Sequence, residues 1–159
     1  MSSYNAPITG LTDGLILCSE EAFKVRTLLA LKNDREDYEM FKSRDKFCNV
    51  DFVVINKRNI LSVLIEHKRK NIDGSDDKYS TFYIGTTKLA MVSVFYSTPL
   101  ILVFECNDDV YWVVNDAEFL KRPSKFVRGS KVIEIKKTEC GVGFEKLIKT
   151  LKDTLNFNW

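Results

Sequence analysis

The strongest apolar pattern in the chain lies over residues 49–68. A β-branched run, Val53-Val54-Ile55, is followed by a polar Asn-Lys-Arg-Asn turn and a second run from Ile60 to Ile65. This is the pattern of a β-hairpin, with strands over 49–56 and 60–68. Upstream, Ser19 stands as an N-cap, and Ala22, Val25, Leu28 and Leu29 predict an amphipathic helix over 20–32 with those side chains inward. The charged stretch 33–46 holds a short strand at 38–41. Residues 71–78, NIDGSDDK, read as a loop, and 86–96 as a helix that turns Leu89, Val92, Phe95 and Tyr96 to a sheet. Pro99 restarts the chain as a buried strand over 100–104, and Asn107-Asp108-Asp109 turns it into a strand at 110–114. A strand at 131–135 and a helix over 143–155 close the pattern. Taken alone, it supports a mixed α/β domain with a sheet covered by helices.

Length places all 159 residues in one domain, with residues 1–14 as a polar, flexible arm. Charged residues at 29% and aromatics at 12% exclude a disordered chain. The net charge of +2 gives no uniformly cationic coat, so any nucleic-acid binding has to come from a local patch. Cys18, Cys48, Cys106 and Cys140 stand singly, without a Cys-x-x-Cys pair or a Cys/His spacing. They read as small core residues of a reducing compartment, not as zinc ligands or a disulfide framework. No signal-peptide pattern and no membrane-length apolar run is present, so the expectation is an intracellular protein without a membrane partner.

The candidate chemistry sits at the open end of the hairpin. Asp51 begins the first strand, and Glu66-His67-Lys68 ends the second. Alternation puts Glu66 and Lys68 on one face and His67 on the other, and the hairpin returns Glu66 to the side of Asp51. Two carboxylates and a lysine at the end of a buried sheet are costly unless something compensates them. A divalent cation is the simplest compensation, and metal-assisted phosphodiester hydrolysis is the chemistry that fits. The plainer reading is a hairpin whose polar ends reach solvent, with Glu66 and Lys68 as an ordinary ion pair.

An Asp, a β-turn and then Glu-x-Lys resembles the PD-(D/E)XK nuclease superfamily. The motif stands here as Val50-Asp51 and Glu66-His67-Lys68, with valine in place of the usual proline. The likeness covers most of the chain in element order but only these residues in identity. It implies a single restriction-endonuclease-like α/β domain, a mixed central sheet flanked by helices in an αβββαβ core. It also implies Mg²⁺, with Mn²⁺ as substitute, held by Asp51, Glu66 and the main-chain carbonyl of His67. Lys68 would orient the attacking water and stabilise the phosphate. Members often add a glutamate from the first helix; Glu21, at the edge of the expected apolar face, is preferred to Glu20. The segment from Ile65 to Trp112 looks most like small archaeal-type Holliday-junction resolvases, which implies a homodimer that cuts branched DNA.

Arg69, Lys70 and Lys88 extend the basic stretch beyond the motif, and Lys121, Arg122, Lys125 and Arg128 surround Pro123 in an expected loop. All seven are candidate phosphate contacts on DNA. For Arg69, Lys70 and Lys88 a solvated charged face accounts for each equally well. Of Tyr111 and Trp112, one is expected in the core. The competing function is a nuclease fold kept as an inactive DNA-binding or scaffolding module, favoured by the low net charge and the missing proline.

Overall fold

A computed structural model of the chain describes residues 11–32, 38–42, 50–58, 60–86, 98–115, 119 and 121–156. The elements, in chain order, are α1 (Leu11–Lys32), β1 (Tyr38–Lys42), β2 (Phe52–Asn56), β3 (Leu61–Arg69), β4 (Thr81–Gly85), β5 (Leu100–Glu105), β6 (Val110–Asn115), β7 (Lys125–Val127), β8 (Ser130–Lys136), β9 (Gly141–Val142) and α2 (Phe144–Leu155). Six strands form one mixed sheet in the order β1-β2-β3-β5-β6-β9, and β4-β8-β7 form a second, three-stranded sheet. The β3–β5 neighbours run parallel, with Glu66 beside Leu102 and Lys68 beside Phe104. The fold class is therefore mixed α/β.

Side-chain alternation sorts the core into two layers. Val63, Ile65, Ile101 and Val103 point to the face covered by α1 and α2, where Phe23, Leu31, Leu147 and Leu151 meet them. Leu100, Leu102 and Phe104 point the other way, against Phe82, Ile84, Ile133 and Ile135 of the second sheet. Phe82 stacks on Phe104 with ring centroids 4.3 Å apart. One face of the large sheet thus carries helices, and the other carries a sheet. The αβββαβ helix expected over 86–96 lies outside the described residues, save Thr86 at its start.

The first helix begins earlier than its apolar spacing predicts and turns a different face inward. Phe23, Thr27 and Leu31 are buried, whereas Val25 and Leu29 are more than half exposed. The large Phe23 ring packs on Phe52 (5.9 Å) and on His67 (4.7 Å), and this anchoring sets the helix rotation. Tyr111 and Trp112 both join the core, on opposite faces: Tyr111 with the second sheet and Trp112, partly buried, with the helices.

Within the β2–β3 hairpin, buried Asn56 ties the turn to the end of α2. Its Nδ2 donates to the Leu155 carbonyl (3.0 Å) and to Asn156 Oδ1 (2.7 Å), so one carbonyl of the helix terminus gains a partner. Ile60 closes the same turn at φ 59° while exposing 86% of its surface. A β-branched residue in the left-handed region is strained, and nothing is gained in packing at an exposed position. Ile60→Gly is expected to raise stability by about 0.5–1 kcal/mol, read as a higher urea midpoint at unchanged slope.

Residues 70–80 cross from β3 to β4 as a turn-rich loop. The Asp108 carboxylate accepts the Gly74 (2.7 Å) and Ser75 (3.0 Å) N–H groups, while Lys137 Nζ donates to the carbonyls of Gly74 and of Asp76 (3.0 Å). A Cβ at Gly74 would meet the Tyr111 ring at 2.0 Å, which excludes a side chain at the point of closest approach. These bonds, led by the Gly74 N–H, hold Asp108 at about 2. Its hold on the loop is complete above the ordinary carboxylate pKa and is lost as pH falls through about 2.

Candidate active site

Asp51 stands one residue before β2, and its N–H donates to the Ile65 carbonyl at 3.1 Å. The β2–β3 ladder ends at Phe52 opposite Ile65, and Asp51, one residue earlier, is tied to the Ile65–His67 stretch by its bonds to the Ile65 carbonyl and the His67 N–H. Lys68, two residues beyond Glu66, projects to the same face as Glu66. Val53, Leu64, Glu66 and Lys68 thus look toward the layer of the second sheet, where Leu64 joins its core. Glu66 is 3% exposed, so its carboxylate is nearly withdrawn from water.

His67 connects the two faces. Its backbone N–H donates to Asp51 Oδ2 at 2.7 Å, fixing that carboxylate across the hairpin. Its ring lies on the opposite face, beneath Phe23 of α1, with Nε2 at 2.7 Å from Glu105 Oε1. Glu105 lies at the end of β5 beside Arg69, and the parallel register aims both toward the helix side. A contact across 38 positions between parallel strands leaves no local trace in the sequence. The imidazole is therefore held behind the sheet, away from Glu66 and Lys68.

Lys70 follows on the Lys68 face and is half-buried. Burial first, and the neighbouring Lys68 ammonium second, hold its pKa below the ordinary lysine value. Arg69 is engaged elsewhere: its guanidinium donates to the carbonyls of Glu105 (2.9 Å) and Lys70 (3.3 Å) and to Asn107 Oδ1, bracing the β5–β6 turn. Lys88 lies outside the described residues.

On α1 the buried glutamate is Glu20, at 8% exposure, ion-paired with Lys42 Nζ of β1 at 2.8 Å. Glu21 is exposed. The helix packs on the face that carries His67, opposite the one that carries Glu66 and Lys68.

The basic cluster of residues 121–128 is not a loop throughout, because Lys125 lies in β7 and Arg128 in the β7–β8 turn. Arg122 is held by both carboxylate oxygens of Glu139, by the Glu134 carbonyl (3.3 Å) and over the Phe119 ring (4.3 Å). Lys125 pairs with Glu134 at 3.2 Å, which raises its pKa. Lys121 is exposed. The thiols of Cys106 and Cys140 are pushed up to about 11 and about 12, chiefly by burial, and are not nucleophiles near neutrality.

Among the described residues, no three His, Cys, Asp or Glu side chains converge on one metal position. A two-carboxylate set is nonetheless suited to Mg²⁺, which prefers hard oxygen ligands and usually keeps several waters beside one or two carboxylates. Buried Glu66, and Asp51 bonded to the N–H of the next residue, His67, supply oxygen donors of that kind.

No protein-family model matches the chain, and no curated protein matches it by sequence. Solved structures do match. D212, a nuclease from a fusselovirus, superposes with a TM-score of 0.58 at 12% identity, covering 94% of this chain and 95% of its own. Hjc of Archaeoglobus fulgidus, a Holliday junction resolvase from an archaeal hyperthermophile, superposes with a TM-score of 0.51 at 12% identity, covering 82% of this chain and 92% of its own. The chain has the fold of these two nucleases over nearly its whole length.

Proposed function

We propose that this protein is a divalent-metal-dependent nuclease that hydrolyses phosphodiester bonds in DNA, with Asp51, Glu66 and Lys68 as its centre. The observation that supports the proposal is the bond from the His67 N–H to the Asp51 carboxylate, which holds Asp51 against the strand that carries buried Glu66 and Lys68, within a fold shared with two nucleases. Asp51 and Glu66, with the His67 carbonyl, would hold Mg²⁺ or Mn²⁺. When bound, such an ion acidifies water and offsets phosphate charge.

The chain's own residues do the rest. The His67 N–H fixes the orientation of Asp51, and the ring contacts with Glu105 and Phe23 fix the backbone that carries that N–H. Burial of Glu66 strengthens its attraction for a cation, because little water screens it. The Lys68 ammonium orients the attacking water and stabilises charge developing on the phosphate. Lys70, already desolvated and beside Lys68, adds a second positive charge on the approach.

Because one structural neighbour resolves Holliday junctions, four-way DNA is the branched substrate to test first. Incubation with linear, nicked, flap and four-way DNA should give products in Mg²⁺ or Mn²⁺ and none in Ca²⁺ or EDTA. Calcium binds oxygen ligands but is too large and loosely organised to activate water well. Cleavage in excess EDTA would sink the proposal, and binding without cleavage of any substrate would favour the inactive scaffolding module.

A further inference from the structure

The β7–β8 hairpin carries an aromatic side chain that the fold itself does not use. Phe126 is 75% exposed in the middle of a three-residue strand at the edge of the second sheet. It pairs directly with Lys131. Alternation along β8 puts Lys131 on the same face as Ile133 and Ile135, the face that packs on the large sheet. The apolar face of the second sheet thus runs past the end of its core, and Phe126 overhangs.

This tip is rigid. Val127 pairs with Ser130 around a two-residue turn, Arg128-Gly129, with φ of 51° and 81°. Left-handed conformations at both central positions match the natural twist of hairpin strands. The charge around the tip is of one sign. Between Phe119 and Ile133 the chain carries five basic side chains and no acidic one. Glu134 and Glu139 lie against Lys125 and Arg122, at the base of the hairpin, while Arg128 and Lys131 are exposed at its tip. A ring bracketed by cations suits a base with its attached phosphates better than an apolar protein face.

We propose that Phe126 is a stacking platform for an unpaired DNA base, with Arg128 and Lys131 on the flanking phosphates. This rests on the reading of DNA as the substrate and narrows it to DNA with single-stranded or opened bases, since a stacked duplex hides its base faces. The platform lies on the side of the large sheet to which Glu66 and Lys68 point.

The test is fluorescence anisotropy of the full chain, in EDTA, with fluorescein-labelled oligo(dT) and with a blunt duplex. Phe126→Ala should weaken oligo(dT) binding roughly 5- to 150-fold, the range of one base–aromatic stack, and leave duplex affinity unchanged. Phe126→Trp should keep oligo(dT) affinity and show indole quenching beyond that of the wild type, which already holds Trp112 and Trp159. Lys131→Ala should lower the slope of log affinity against log salt by about 0.7, one single-strand phosphate contact. Equal losses for strand and duplex, or none, would overturn the proposal. So would concentration-dependent dimerisation that disappears in Phe126→Ala, since a second copy would then be the occupant. Metal-dependent duplex cleavage with binding indifferent to Phe126 overturns stacking and leaves the nuclease reading in place. Phe126-dependent binding without cleavage of any DNA supports stacking and overturns the nuclease. Failure to bind any oligonucleotide overturns both.

Discussion

Lys68→Ala is expected to lower Mg²⁺-dependent cleavage by about 10²–10³-fold, the usual cost of losing a group aimed at developing charge, while DNA affinity stays close to wild type. The split follows from position. Lys68 shares a face with Glu66, two residues away, so on the proposed reading its ammonium would act on the reacting phosphate and not on the outer contacts. Affinity comes from many phosphate contacts, of which one near the centre is a small part. Lys70→Ala is the informative control. That lysine is partly desolvated and next to Lys68, so its loss should weaken binding modestly and change the cleavage rate far less. Equal rates for wild type and Lys68→Ala at saturating DNA would remove Lys68 from the chemistry.

Much of the hairpin is legible in sequence because its register is set locally. Two β-branched runs around a polar turn fix which residues oppose one another from Phe52 and Ile65 to Asn56 and Leu61. What surrounds the hairpin is set by distant partners. The parallel neighbour β5 brings Glu105 to His67, and no spacing in the chain announces that contact. Arg69 reads as one more cation after the motif, yet the end of β5 and Asn107 take up its guanidinium.

The first helix shows how a periodic pattern can mislead. Ala22, Val25, Leu28 and Leu29 keep a helical spacing, but of these Leu28 packs on the core while the other three are exposed, and the buried face is that of Glu20, Phe23, Thr27 and Leu31. The bulk of Phe23 and the Lys42 partner for Glu20 outweigh a stripe of smaller apolar residues. The stripe favours Glu21 over Glu20, and the structure buries Glu20. The strand Thr81–Gly85 carries its own signal, since Phe82 and Ile84 alternate inward with Tyr83 partly exposed, but five residues between a polar loop and an expected helix make a short pattern.

Glu66→Gln should abolish both cleavage and any stabilisation of the fold by metal. Glu66 is 3% exposed, and on the proposed reading its carboxylate is one of the two that would hold the ion. Glutamine keeps the shape and removes one charge. A divalent cation bound between the carboxylates of the wild type stabilises the folded state in proportion to its occupancy. At a metal concentration about 100-fold above Kd this amounts to about 2.7 kcal/mol. In a chain of this size that raises Tm by roughly 5–10 °C. Thermal unfolding with Mn²⁺ or EDTA reads the effect without reference to activity. The expected pattern is a wild type that gains several degrees with metal and a Glu66→Gln variant that gains none. A metal-induced rise that survives in Glu66→Gln would place the ion elsewhere and remove Glu66 from the donor set.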